Sequence, residues 1–89
     1  MDESNIPMRY NIIRVLFHQE GGMTAQEIYK NFFNIYQGEI QCNINEIDKQ
    51  LMSLTTVGIL EVYEEAFVFK YRITEYGRKR ADKNISKYL

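Results

Sequence analysis

Apolar residues recur along the chain first at helical spacing and then in alternation. Met8, Ile12, Val15 and Leu16 share one face of a helix that starts near Met8, with Tyr10, Ile13 and Phe17 adjoining. Pro7 fits the first turn, where its missing N–H costs nothing, and Gly21 and Gly22 end the helix. The stripe is wider than a surface helix needs, which predicts two partners for it, the chain's own core and a second subunit.

A second helix is announced by Thr24 and Glu27, the two ends of a capping box, with Met23 placed to staple onto Ile28. Ile28 and Phe32, flanked by Tyr29 and Ile35, face inward, and the pattern dissolves towards Gly38, the expected pivot. Asn43 and Glu46 repeat the capping arrangement, with Cys42 and Ile47 as the staple. Ile44, Ile47, Leu51 and Leu54 then predict a third helix over about 44–57, and Gly58 stands where a left-handed cap belongs.

Beyond Gly58 the period changes to two. Ile59 to Tyr63 and Phe67 to Ile73, separated by Glu64, Glu65 and Ala66, predict an antiparallel hairpin with Phe67, Phe69, Tyr71 and Ile73 on a core face. Val68, Lys70 and Arg72 take the other face. Tyr63 joins these aromatics as cross-strand packing. Thr74 caps a last helix from about Glu75, whose inner line is Gly77, Ala81, Ile85 and Tyr88 or Leu89. The fold class is therefore mainly α with a small antiparallel β-hairpin, in one domain over residues 1–89 with residues 1–6 frayed.

Composition narrows the functional classes. Eighty-nine residues with 45% apolar content support one modest core and no large enzyme cleft. One cysteine and one histidine offer no disulfide framework, metal-ligand set or nucleophile–base pair, so no enzyme activity, cofactor or metal is expected. Cys42 reads as a small buried hydrophobe, and His18 as a surface residue late in the first helix. No run is long enough to span a bilayer, and the acidic start Asp2, Glu3 lacks the basic region of a secretory signal, which predicts a soluble, cytoplasmic protein with no membrane partner.

The net charge of −1 hides an asymmetry. From residue 70 onward Lys70, Arg72, Arg78, Lys79, Arg80, Lys83 and Lys87 face only Glu75 and Asp82, while the preceding segment is acidic. Arg78, Lys79 and Arg80 can be a solvated helix face or a phosphate-contacting one.

Three segments together carry a resemblance. They are Met23-Thr24-Ala25-Gln26-Glu27-Ile28 opening the second helix, Leu51-x-x-Leu54-x-x-x-Gly58-Ile59-Leu60 closing the third, and Tyr71-Arg72-Ile73-Thr74-Glu75-Tyr76-Gly77-Arg78 leaving the hairpin. The chain from Met8 to Lys87 resembles winged helix-turn-helix transcriptional regulators of the multiple-antibiotic-resistance and phenolic-acid-decarboxylase types. That resemblance implies three helices, a two-stranded wing and a C-terminal helix, with the third helix reading the major groove of double-stranded DNA. It also implies a homodimer through the terminal helices, here Met8, Ile12, Val15, Ile85, Tyr88 and Leu89. Tyr10, Tyr29, Tyr36 and Phe33 would then lie near a small cavity between subunits.

Carried onto this chain, the DNA-facing positions are Asn43, Asn45, Lys49, Gln50 and Ser53, with Glu46 among them, and Lys70, Arg72, Arg78, Lys79 and Arg80 meet phosphate. Arg14 and Lys30 would assist by backbone contact near the helix starts. Asn and Gln suit adenine, Lys guanine or phosphate, and Ser either. Glu64 and Glu65 stand at the wing tip where such regulators commonly carry Lys or Arg, and carboxylates there oppose a phosphate backbone. The sequence thus supports a transcription regulator that binds DNA as a dimer. It leaves open a protein-interaction module whose acidic wing and third helix take a basic protein partner.

Overall fold

The computed structural model describes residues 6–36 and 43–89; residues 1–5, and with them most of the segment expected to fray, lie outside these, as do the Gly38 pivot and Cys42 with its staple. Helix α1 spans Met8–Phe17, α2 Ala25–Phe33 and α3 Ile44–Thr56. Strands β1, Leu60–Glu65, and β2, Val68–Ile73, follow, then α4, Glu75–Asn84, and a closing 3-10 turn, Ser86–Tyr88.

The helix starts are where polar side chains satisfy orphan N–H groups. Thr24 Oγ1 accepts from the Glu27 N–H at 3.1 Å and Glu27 Oε1 accepts from the Thr24 N–H at 2.8 Å, a complete capping box. Asn43 Oδ1 accepts from the Glu46 N–H at 2.9 Å. Glu46 is turned the other way and accepts from Gln50 at 3.5 Å, so α3 has its cap without the reciprocal half. Pro7 sits at the N-cap itself, one position earlier than expected, and its carbonyl accepts the Asn11 N–H at 3.0 Å.

Ile12, Leu16, Ile28, Phe32, Ile47, Leu51, Leu54 and Leu60 are buried together, each aliphatic side chain worth roughly 1.5–3 kcal/mol against exposure. The breadth of the α1 stripe is used within this one chain. Met8, Ile12 and Ile85, expected at a subunit interface, lie in the chain's own core, and Val15, Tyr88 and Leu89 pack against it. The physical reason is the C-terminal segment: β2, α4 and the closing turn all pack on α1 and cover the arc that a second subunit was expected to cover. Tyr88 stacks on Tyr10 with ring centroids 5.8 Å apart.

A polar network sits inside this core. Asn11, 0% exposed, donates from Nδ2 to the Tyr36 hydroxyl at 2.9 Å and accepts from Arg14 Nε at 2.7 Å. The Tyr36 hydroxyl donates in turn to the Ile6 carbonyl at 2.6 Å. Each buried dipole is partnered, which offsets its desolvation. Ile6, expected in a frayed end, is therefore buried and anchored.

The hairpin pairs Leu60 with Ile73, Val62 with Tyr71 and Glu64 with Phe69 on one face, and Glu61 with Arg72, Tyr63 with Lys70 and Glu65 with Val68 on the other. Its strands run further than the sequence suggests: Glu64 and Glu65 belong to β1, and the turn is Ala66-Phe67, both at positive φ (52° and 68°). The expected core face fails towards the tip, where Phe67 is 94% and Phe69 62% exposed, while Ile73 is buried and Tyr71 half-buried. Core atoms reach only the base of a hairpin that projects past them. At that base Met23 forms an antiparallel bridge to Tyr71, with N–H to carbonyl distances of 2.9 and 2.8 Å, and its side chain packs against the core cluster that contains Ile28.

The base of the hairpin is locked to α4. Gly58 closes α3 at φ +83°. The Thr74 N–H donates to the Ile59 carbonyl at 3.0 Å, and its hydroxyl lies 2.7 Å from the Gly58 carbonyl oxygen while accepting from the Gly77 N–H at 2.8 Å. Gly77 lies so close that a Cβ there would stand 2.2 Å from the Ile59 carbonyl oxygen. No helix among the described residues is long and apolar enough to cross a membrane.

Gly77→Ala should therefore destabilise the domain by about 3 kcal/mol or more in urea unfolding, whereas Gly21→Ala, with open space at its Cβ, should change stability by less than about 1 kcal/mol. The capping box carries a pH signature. The Thr24 N–H holds the Glu27 carboxyl below its ordinary value, so its stabilisation is present at neutral pH and lost as pH falls. The Tm gap between wild type and Glu27→Gln should close on acidification through roughly pH 4–5 and below.

Candidate nucleic-acid interface

Helix α3 buries Ile47, Leu51 and Leu54, which turns the opposite face to solvent. Asn45, Lys49 and Ser53 fall on one exposed row at four-residue spacing, with Met52 and Thr56 beside it. Asn43 is exposed at the cap, its carboxamide oxygen engaged with the Glu46 N–H. Gln50 is half-buried and turned towards α1.

What turns Gln50 is Arg9, a residue that the helical pattern of α1 did not single out. Arg9 Nη1 donates to Gln50 Oε1 at 3.2 Å and to Ser53 Oγ at 3.1 Å. A guanidinium thus lies along the flank of α3, held by two neutral side chains and facing no carboxylate among the described residues. The sequence signal that could have found it is its place on α1 one residue from the buried stripe, where a long side chain reaches the neighbouring helix.

The other expected cations are not equivalent. Lys70 pairs with Glu65 at 3.1 Å, and this contact raises the Lys70 ammonium above its ordinary value. Arg72 pairs with Glu61 and lies over the Tyr63 ring at 4.4 Å. The Tyr63 hydroxyl itself donates to the Gly21 carbonyl. Arg78 donates to the Phe17 carbonyl at 3.1 Å, satisfying the C-terminus of α1, and lies over the Phe17 ring. Lys79 stands 3.7 Å from Glu75 on an exposed helical turn, a pairing worth little in water. Arg80 lies over the Tyr76 ring at 5.9 Å and has no carboxylate partner among the described residues. The basic tail is therefore divided between structural contacts, cross-strand pairs and one guanidinium held by an aromatic face.

The hairpin face turned to α3 carries Val62, Glu64, Phe69 and Tyr71. Between it and α3 is a shallow groove of about 190 Å³ lined by Met52, Thr55, Thr56, Val62 and Tyr71. Asp48 and burial together raise the Tyr71 phenol above its ordinary value, burial contributing more. Of the four residues expected near a small cavity between subunits, Tyr36 is in the core beside Phe32, Tyr29 packs edge-on to Phe33, and Tyr10 stacks on Tyr88. His18 is exposed, edge-on to Phe17. Lys30 is exposed on α2, and Arg14 is held against Asn11.

No protein-family model matches the chain, and no curated protein or solved structure matches it significantly.

The hairpin tip sets a measurable strain. Two consecutive non-glycine residues at positive φ cost roughly 1–2 kcal/mol each, and turns of this kind prefer Asn-Gly. The double substitution Ala66→Asn, Phe67→Gly should raise Tm by roughly 5–10 °C in calorimetry, because the exposed Phe67 side chain forfeits little packing. An unchanged or lower Tm would mean that the tip is not strained.

Proposed function

We propose that the chain is a winged helix-turn-helix domain that binds double-stranded DNA and regulates transcription. In this reading α2 supports α3, α3 enters the major groove, and the hairpin is the wing. The observation that carries it is the exposed row Asn45, Lys49 and Ser53 on a capped thirteen-residue helix whose opposite face is fixed in the core. Asn45 has the amide geometry for adenine, and Lys49 has the charge for guanine or phosphate. Rigid backing matters here, because base edges are read by side chains positioned within fractions of an ångström.

Phosphate contacts in this reading come from the α1 and α4 flank. Arg9 and Arg80 have no carboxylate partner among the described residues, whereas Lys70 and Arg72 would first have to leave Glu65 and Glu61. Such a domain has few phosphate contacts and a shallow salt dependence. A second reading, protein recognition by the hairpin, is favoured by one specific feature: Phe67, Val68 and Phe69 are exposed beside Glu64 and Glu65, an apolar, acidic tip suited to a basic apolar partner.

Selection from a random duplex library at moderate salt should enrich one motif. On that motif, Asn45→Ala with Lys49→Ala should weaken binding at least a hundredfold with an unchanged circular dichroism spectrum. Arg80→Gln should weaken binding to all sequences and reduce the salt slope by about one. No enriched motif, or full affinity in the double variant, would remove DNA reading by α3 and leave the hairpin reading in its place.

A further inference from the structure

The outer end of the hairpin combines two features that no contact within the chain explains. Phe67, Val68 and Phe69 are exposed together, Phe67 almost wholly, beside the exposed carboxylates of Glu64 and Glu65. Phe67 also keeps its place at φ +68°, next to Ala66 at +52°, where glycine would meet no steric penalty. Strain of that kind persists where function depends on the shape it fixes.

Charge sorts the surfaces that such a tip could enter. A phosphate backbone and an anionic lipid surface both oppose Glu64 and Glu65. Lys70 is paired with Glu65 and Arg72 with Glu61, while Glu64 has no cation partner among the described residues. The complement of the tip is therefore an apolar concavity that carries positive charge and no carboxylate.

This chain displays one. A half-open notch of about 570 Å³ lies between α1, the end of α3 and α4. Its exposed apolar lining is Tyr10 and Val57, over a floor that includes buried Leu54 and Ile85. Arg9 and Arg80 line it too, and no acidic residue among those described does. Arg9 donates to neutral side chains, and Arg80 lies over the Tyr76 ring. The notch admits a phenyl ring, which can pack on Tyr10 and Val57 with a guanidinium near its face. The tip cannot fill the notch of its own chain: Ile59 lines the notch at the base of the hairpin, and the six residues of β1 set the tip roughly 20 Å away.

We propose that the hairpin tip of one copy of this chain docks in the notch of a second copy, with Phe67 against Tyr10 and Val57, and Glu64 and Glu65 facing Arg9 and Arg80. Tip and notch are different surfaces, so the contact is heterologous and either closes into a ring or continues from copy to copy. It is also small, with one aromatic anchor and exposed charge pairs, so the association is weak and salt-sensitive. The proposal rests on the hairpin reading, whose partner it names, and does not require DNA reading by α3.

The test is sedimentation equilibrium of the full chain from micromolar to millimolar concentration at low and high salt. The average mass should rise with concentration at low salt and fall back towards the monomer at high salt. Two variants remove one half each. Ala66→Asn with Phe67→Gly deletes the anchor and relaxes the turn, so it should be monomeric while its Tm rises. Val57→Glu with Arg80→Glu, both exposed, should be monomeric with an unchanged circular dichroism spectrum. Mixed together, the two should associate again, because the first keeps its notch and the second its tip, and assembly should stop at one copy of each. In that mixture NMR amide shifts should fall at Tyr10, Val57 and Arg80 of the first variant and at Glu64 to Phe69 of the second. A monomer at every concentration, undiminished association in either variant, a mixture that stays monomeric, or shifts away from tip and notch would overturn the proposal. If the chain is monomeric, the hairpin reading itself is decided by a displayed peptide library. Peptides enriched by wild type and not by the tip variant keep that reading, and the same peptides from both remove it.

Discussion

One tight backbone junction holds the rest in place. Gly77 of α4 lies against the Ile59 carbonyl, and Thr74 reaches both Gly58 and Ile59 from the same side. This junction joins the end of α3, the start of β1, the end of β2 and the start of α4 within a few residues. Because it is built from backbone and one hydroxyl, it has little freedom to relax. It sets the direction in which the hairpin leaves the core and brings α4 back over α1.

From that return follow both the closed core and the open notch. The C-terminal segment covers the apolar arc of α1, so Met8, Ile12 and Ile85 are consumed within one chain. The sparse inner line of α4, Gly77 and Ala81 with Ile85 at its C-cap, leaves a concavity of about 570 Å³ beside Leu54 with Arg9 and Arg80 in its lining. Electrostatics then sorts the basic residues. On the hairpin, cross-strand geometry places glutamates opposite or diagonal to Lys70 and Arg72. On α4, Arg78 is drawn to the Phe17 carbonyl, an orphan acceptor at the end of α1.

Much of the architecture was legible in the residues, because its signals are local. Thr24 with Glu27, Asn43, Thr74 and Gly58 mark element ends through bonds that span three or four residues, and each occurs where the pattern puts it. The hairpin strands were legible as strands, yet not their length: Glu64 and Glu65 look like turn residues by composition, and the structure gives the turn to Ala66 and Phe67 at the expense of positive φ. The core assignment of Phe67 and Phe69 was a face assignment carried past the point where the core ends.

By itself, then, the sequence determined which segments are helix and strand, where the caps stand, and which side of α3 is buried, since each depends on neighbours within about one helical turn. Tertiary structure alone decided that the α1 arc is covered by the chain's own C-terminal segment, that Asn11 is buried with Tyr36 and Ile6, and that Arg9 lies along α3. It also decided which of the basic residues keep an unanswered charge. The burial of Asn11, the reach of Arg9 and the capture of Arg78 rest on contacts between residues 25 to 61 positions apart, and a one-dimensional pattern holds no distance of that kind.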